Sequence, residues 1–500
     1  MNAVIRKPES RAIPVKTQTP HVEVAIIGSG FGGLGMAIKL KQAGNDNFVV
    51  FERANDIGGT WRDNTYPGCA CDVQSHLYSY SFAPNPNWSE VYSSQAEILA
   101  YMRQVTRQYG IMPHIRLNHN VLKATWQEDT SQWLIETSGG SYSSTFLVSA
   151  HGPLAEPKLP DIPGIASFQG TLFHSSRWNH DFDLTGKRVA VIGTGASAVQ
   201  FVPAIQSKVK DMTIFQRTAP WIVPRMNRKY TSNELGRFRH LPITQQWSRF
   251  KMYWQREFSV LGFYNPRMEK LAAKLARGHL EAQVSDPELR QKLTPNYQMG
   301  CKRIMVSDDF YPALTKPNVK LITDKITKIC PNGVVTADST QHTVDTIIFG
   351  TGFYTSETPA AKMFVGRDNR TLDDVWKGSP EAYLGTTVHG FPNLFLLVGP
   401  NTGLGHSSII FMIESQLAYI MDGLQKIKAQ GYKGLEVRAE KQNDYNQHIQ
   451  QELNRFVWTK GGCTSFYLDK NGKNTGLWPG FTFRFRNRTR RFDAEAYRLW

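Results

Sequence analysis

Residues 21–52 read HVEVAIIGSGFGGLGMAIKLKQAGNDNFVVFE. An apolar run (22–27) leads into Gly28, Ser29, Gly30, Phe31, Gly32 and Gly33, then a helical segment, then a second apolar run ending at Glu52. The glycines serve different ends. Gly28 permits a tight turn, Gly30 lets a pyrophosphate reach the backbone, and Gly33 lets the helix lie close on the strand. The diphosphate is expected at the helix N-terminus, where free N–H groups and the helix dipole favour an anion. Glu52, 24 residues after Gly28, is placed to accept hydrogen bonds from a ribose diol. Strand, glycines, helix, strand and terminal acid in this order predict an α/β fold that opens with a dinucleotide-binding unit.

The pattern recurs at residues 187–217, KRVAVIGTGASAVQFVPAIQSKVKDMTIFQR, with Gly193, Gly195 and Ala198 at the corresponding places. Here the residue at the strand end is Arg217. An acid would repel a 2′-phosphate, whereas a guanidinium pairs with it in bidentate fashion. Thr218 beside it offers a hydroxyl donor. One acid-tipped and one arginine-tipped unit imply two dinucleotides, most simply FAD and NADPH (bound as NADP+ after hydride transfer).

Residues 146–152 and 345–353 each read as a strand running into a glycine turn, and residues 153–164 form a Pro-rich linker. The arrangement resembles flavoproteins of the two-dinucleotide type, which implies that the first unit is split where strand-and-glycine segments pass the chain between domains. The expected architecture is two Rossmann-like domains: an FAD domain from residues 1–155 and 335–500, and an NADPH domain, 156–334, inserted in it.

Composition narrows the function classes. With 41% hydrophobic and 12% aromatic residues over 500 positions, the chain can bury a sizeable core. The apolar stretch 408–421 is short and interrupted by Glu414, too little to span about 30 Å of hydrocarbon. The first 20 residues lack the apolar core of a secretory signal. Five cysteines are not expected to form a disulfide framework, so a reducing cytoplasm is the expected setting. Net charge is +16, concentrated in residues 225–277 (12 basic, 3 acidic) and in the arginine-rich tail. No nucleic-acid-binding motif accompanies that charge, and no nucleic-acid partner is expected.

A disulfide reductase would need a CxxC or CxxxxC pair, but Cys69-Ala-Cys71 has poor spacing, and both read as ordinary small residues. The 13 histidines and five cysteines show no metal-ligand spacing, so no metal site is expected. Use of O2 by the flavin itself remains. Just after the Pro-rich linker stand Phe168, Gly170, His174 and Trp178, an FxGxxxHxxxW series followed by Asn179 where Pro or Asp is usual. Residues 58–72, GGTWRDNTYPGCACD, supply a second motif, [A/G]GxWxxxx[F/Y]P[G/M]xxxD. The pair resembles the type I Baeyer–Villiger monooxygenases, and the resemblance spans nearly the whole chain. Related sulfur- and nitrogen-oxidising flavin monooxygenases typically lack the tryptophan at position 178 and the second motif.

The resemblance implies conversion of lipophilic linear or cyclic ketones to esters or lactones through a flavin C4a-peroxide. It implies that Arg303, in the Lys302–Arg303 pair, is the catalytic arginine, that Asp72 is its partner, and that Lys302 joins Arg217 on the 2′-phosphate. A fixed guanidinium suits this chemistry because it stabilises developing oxyanion charge. His174 is expected to act as a linker hinge or to position the nicotinamide domain, Trp178, Trp61 and Tyr66 to pack so as to fix the domain angle or wall the flavin, and Asn401 to lie near the isoalloxazine or its ribityl chain. Heteroatom oxidation, an NADPH oxidase and a membrane-docked binding protein with structural FAD stay open as alternatives.

A helical subdomain is expected at about 233–292. Trp247, Phe250, Trp254, Phe258 and Leu261 recur every three or four residues, with Arg249, Lys251 and Arg256 on other faces. The stripe is expected to pack over the active site. The alternative is contact with an anionic membrane, since basic helices with Trp and Phe favour interfaces.

Overall fold

The computed structural model describes residues 19–355, 359–463 and 465–500. Most of the N-terminal stretch that lacks a signal core lies outside the described residues. Two parallel-centred sheets organise the chain, each grown from one glycine-tipped strand.

In the first sheet, His21–Ile27 pairs in parallel with Phe48–Phe51 on one side and with Gly140–Ser149 on the other. The antiparallel strands Val121–Gln127 and Gln132–Thr137 extend it, and Leu394–Leu396 returns from the C-terminal part to pair with Gly140–Ser149. Phe48–Phe51 is buried at every position, as a strand covered on both faces must be. The helix Phe31–Gln42 covers one face and packs on the long helix Ile409–Ala429, with Gly35 set directly under Leu417. The apolar stretch at 408–421 is the start of that long helix. It is buried in the core, and Glu414 within it accepts hydrogen bonds from the Ser81 N–H and hydroxyl. Among the described residues no helix is long and apolar enough to cross a membrane.

The second sheet is wholly parallel. Its order is Val319–Ile322, Asp211–Phe215, Arg188–Ile192, Thr346–Phe349, Thr171–His174. Thr346–Phe349 therefore belongs to the second unit, and the boundary expected at residue 334 is corrected to beyond Phe349. The sequence shows an apolar strand there but not its neighbours; pairing with Arg188–Ile192 is a long-range choice.

Between the strands of this second unit, residues 232–293 fold as four helices, Ser232–His240, Pro242–Ser259, Pro266–Gln283 and Pro287–Leu293. Their starts are written locally. Three begin with proline at the first turn, where its missing N–H costs nothing, and Thr231, Asn265 and Asp286 cap three N-termini with side-chain oxygens.

The stripe on Pro242–Ser259 does not pack over the active site. Trp247, Phe250 and Phe258 face solvent, while Gln245 and Glu257 are buried. The inward face is held by polar contacts instead. Arg249 donates to the carbonyls of His76 (2.6 Å) and Ser79 (3.0 Å), and Arg256 donates to Asp72 O (3.0 Å) and Gln74 Oε1 (2.8 Å). Residues 72–79 lack regular partners for these carbonyls, so buried guanidinium donors displace the aromatic face outward.

The cysteine reading also changes. Cys301 and Cys463 form a disulfide across 162 residues. No spacing rule could have paired cysteines from such distant segments. Cys69 and Cys71 are buried free thiols, and burial pushes the Cys69 thiol up to about 11 and Cys71 higher still.

Candidate functional site

The first glycine loop is built as its sequence predicts. Gly28 has φ +97°, and a Cβ there would stand 2.7 Å from Ala150 O. A Cβ on Gly33 would lie 1.8 Å from Gly28 O, so only glycine lets the helix start this close to the strand. A Cβ on Gly30, by contrast, would meet only Gly59 Cα at 3.9 Å, which leaves an open cradle between the two glycine-bearing loops.

Glu52 is buried beside that cradle. Its carboxylate accepts from the Ser29 hydroxyl (2.6 Å) and N–H (3.1 Å) and from Ala54 N–H (3.0 Å), and it pairs with Arg62 at 2.7 Å. Burial pushes its pKa up, but Ser29 and Arg62 outweigh this and hold it below the usual carboxylate range. Trp61 stands next in the loop. It is buried, donates from Nε1 to the Tyr78 hydroxyl (3.1 Å), and meets that ring edge-on; Tyr78 in turn meets Phe31 edge-on.

The second loop repeats the design. Gly193 has φ +105°, a Cβ on it would stand 2.5 Å from Gly350 O, and one on Gly195 would find only that oxygen, at 3.8 Å. Ala198 Cβ fits against Gly350, where a larger side chain would collide. Arg217 is exposed at the strand end. Burial, then the charge of Arg217, lower the Lys302 ammonium below its ordinary value. No carboxylate pairs with either cation among the described residues. Two neighbouring cations without an acid leave a local excess of positive charge. Thr218 contributes its carbonyl, a distant acceptor for the Thr194 hydroxyl at 3.5 Å.

Arg303 and Asp72 join the two halves. Arg303 Nη2 donates to Asp72 Oδ2 at 2.5 Å, and both side chains stay about one-third exposed (35% and 29%). Asp72 ends the loop that begins at Gly58 and Gly59, whereas Arg303 follows Lys302. The pair therefore spans from the first cradle to the second. Asp72, mainly, holds the guanidinium charged well above its already high range. Burial works to raise Asp72, but Arg303 first and Arg256 second keep it ionised. Tyr467 completes the setting; burial pushes its phenol up to about 12, and it feels both charges.

His174 ends its strand beside Phe349 and is buried. Its Nδ1 accepts from Ser176 N–H (3.1 Å), and burial lowers it to about 4, so the ring is neutral. Asn401 is turned toward the C-terminal part, donating from Nδ2 to the carbonyls of Asn474 (2.8 Å) and Leu477 (3.0 Å). Its buried Oδ1 has no partner. Tyr66 reaches across the two units, donating to Gln200 Oε1 (3.0 Å), and Gln200 also donates to Ala70 O (2.9 Å).

Sequence reading missed Arg225, Gln200 and Tyr467, and it set Arg249 and Arg256 on the other faces of their helix without a partner. Arg225 donates to Cys71 O (3.1 Å), so guanidinium groups from two distant segments grip both sides of Asp72. No local pattern marks them, since a basic residue opposite a loop carbonyl is invisible until the chain is folded. No metal-binding cluster exists among the described residues.

The open cradle at Gly30 and the Arg217–Lys302 cation pair fit two dinucleotides, one of them carrying a 2′-phosphate. The flavin-binding monooxygenase-like family model matches residues 21–362. A Pseudomonas aeruginosa protein named Baeyer-Villiger monooxygenase is 49% identical over 98% of this chain and 94% of its own length. The structure of OTEMO in complex with FAD and NADP covers 97% of this chain and all of that one, with a TM-score of 0.87 at 27% identity. Cyclohexanone monooxygenase from Rhodococcus sp. Phi1, bound to NADP+, covers 96% of this chain and 99% of that one, with a TM-score of 0.86 at 26% identity. The chain belongs to the flavin-binding monooxygenase-like family, as one of its FAD- and NADPH-dependent Baeyer–Villiger monooxygenases.

Proposed function

We propose that this enzyme oxygenates lipophilic linear or cyclic ketones to esters or lactones, with Arg303 at the reacting centre. The single observation behind this reading is the partly exposed Arg303–Asp72 pair placed between the two dinucleotide cradles. FAD reduced by NADPH supplies the activation of O2 from which one oxygen atom enters the bond next to the ketone carbonyl.

The chain's own groups do the rest. Arg303 spends one donor on Asp72 and keeps the others for oxygen atoms that gain negative charge. A guanidinium does not release its proton, so the positive charge is in place before reaction and costs no reorganisation. Asp72 fixes its direction, and Arg225 and Arg256 hold the Cys71 and Asp72 carbonyls on either side. His174, neutral and buried at the sheet end, is a positioning residue for the nicotinamide unit rather than a proton carrier.

Gly28, Gly30 and Gly33 hold the FAD diphosphate, and Glu52 takes the ribose. It already accepts from Ser29 and Ala54 and pairs with Arg62, so a ribose diol would have to share or replace one of these donors. Trp61 would wall the flavin, and Asn401, whose buried Oδ1 has no partner, would offer it as an acceptor to the cofactor. Gly193, Gly195 and Ala198 seat the second diphosphate; Arg217, Thr218 and Lys302 take the 2′-phosphate. A cytoplasmic setting, where NADPH is available, is part of this reading.

The test is NADPH oxidation by FAD-loaded protein with a ketone panel under 18O2. One labelled atom in an ester or lactone per NADPH is expected, and Arg303→Ala should retain FAD but form no ester. Ester formation surviving that substitution refutes the role of Arg303. Hydrogen peroxide alone from the whole panel supports an oxidase, and a sulfoxide as sole product supports heteroatom oxidation.

A further inference from the structure

The helix Pro242–Ser259 turns three of its rings to solvent, while Arg249, Tyr253, Arg256 and Glu257 face inward. Trp247, Phe250 and Phe258 are 55%, 50% and 56% exposed. These rings are continuous. Trp247 stacks on Phe250 (5.3 Å between centroids), Phe250 meets Trp254 (6.2 Å), and Trp254 meets both Phe258 (5.7 Å) and Phe483 (6.1 Å). Phe483 carries the row on to Phe481 (5.2 Å). Leu241 and Ile243 extend it at the other end, both exposed.

Cations border this ridge, and its own helix carries no exposed carboxylate. Lys251 Nζ lies over Trp247 and Arg484 over Phe481, and Arg237 and Arg239 are exposed on the neighbouring helix. Between Glu234 and Glu269 the only acid is Glu257. It is fully buried and accepts from the Thr482 N–H (2.8 Å) and hydroxyl (2.6 Å), so it does not offset the surface charge. A contiguous row of half-exposed aromatic rings is costly in water and marks a contact surface.

We propose that this ridge docks the enzyme on an anionic lipid bilayer, the rings entering the headgroup region and Lys251, Arg237, Arg239 and Arg484 facing lipid phosphates. Rings along a helix with a basic rim match the physics of interfacial binding, and each lysine or arginine at an anionic surface strengthens it. A second copy of the chain is the poorer occupant. A two-fold contact would set this basic rim against itself. The inner face of the docked helix grips residues 72–79, which places the membrane next to the loop that carries Asp72.

The test is flotation of the FAD-loaded enzyme with vesicles of phosphatidylglycerol and phosphatidylethanolamine, against phosphatidylcholine alone. Co-flotation with the anionic vesicles at low salt is expected, falling about tenfold on phosphatidylcholine or in about 0.5 M NaCl. The triple variant Trp247→Ser, Phe250→Ser, Phe258→Ser should lose flotation about tenfold while keeping its FAD and its rate of NADPH oxidation. Lys251→Glu with Arg484→Glu, which leaves the rings intact, should weaken binding to anionic vesicles in the same direction. No flotation of the parent enzyme at low salt overturns the proposal, as does flotation unchanged in both variants. A concentration-dependent dimer dispersed by the ring substitutions, without flotation, reassigns the ridge to a second copy and overturns it too.

Discussion

At the scale of single residues, the two nucleotide cradles differ by what stands at their strand ends. Glu52 is buried and saturated with donors, whereas Arg217 is exposed with no acid among the described residues to neutralise it. The reductant preference should therefore rest on Arg217 and Lys302. In Arg217→Glu, the KM for NADPH should rise about 100-fold, because a salt-bridged phosphate contact of about 2–3 kcal/mol is replaced by repulsion. NADH kinetics should change far less, and steady-state assays with both reductants measure the split. An equal loss for both would mean that Arg217 supports the fold and not the phosphate. The same substitution should release Lys302 from the repulsion that lowers its ammonium.

At the scale of elements, the helix Pro242–Ser259 shows how burial is decided by what the other side lacks. Its apolar stripe has the right period to be a core face, yet the loop beneath it presents carbonyls. Arg249 reaches the carbonyls of His76, Leu77 and Ser79 from one nitrogen. Arg249→Met keeps the length and removes the donors, leaving those oxygens buried without partners. It should cost about 2–3 kcal/mol and lower the melting temperature by several degrees. Thermal unfolding of the FAD-loaded variant measures this. A melting temperature equal to the parent's would show that the loop carbonyls are satisfied in another way. The neighbouring helices were legible because their caps and N-terminal prolines are local. The face each would bury was not.

At the scale of the whole molecule, the disulfide between Cys301 and Cys463 ties the segment carrying Lys302 and Arg303 to the C-terminal part, where Trp458 stacks on Phe456. Buried histidines are spread as widely: burial lowers His76, His151 and His174 each to about 4. In the unfolded chain these rings take a proton near 6.5, so between the two values the unfolded state binds more protons. Stability is then complete above about 6.5 and is lost as pH falls toward about 4. Melting temperatures from about pH 7.5 to about 4.5 should fall on the acid side, and the double variant His76→Asn, His174→Asn should flatten the slope. An unchanged slope would place the acid sensitivity elsewhere.

Much of this protein is set by its sequence alone, because the signals are short-range. Gly33 answers a steric demand within a few residues, Gly28 and Gly193 take the positive φ of a local turn, a strand-end Glu52 or Arg217 carries its charge preference with it, and caps and prolines start the helices. From these the two-sheet fold and the two dinucleotides are legible in the unfolded chain, and the motifs at 58–72 and 168–178 add the family. Tertiary structure alone decided which sheet Thr346–Phe349 joins, which cysteines meet, that Arg225, Arg249 and Arg256 grip the loop around Asp72, and that an aromatic row faces outward. Each of these depends on a partner tens to hundreds of residues away. Such a partner enters the free energy only once the chain has folded around it, and a local pattern holds no record of it.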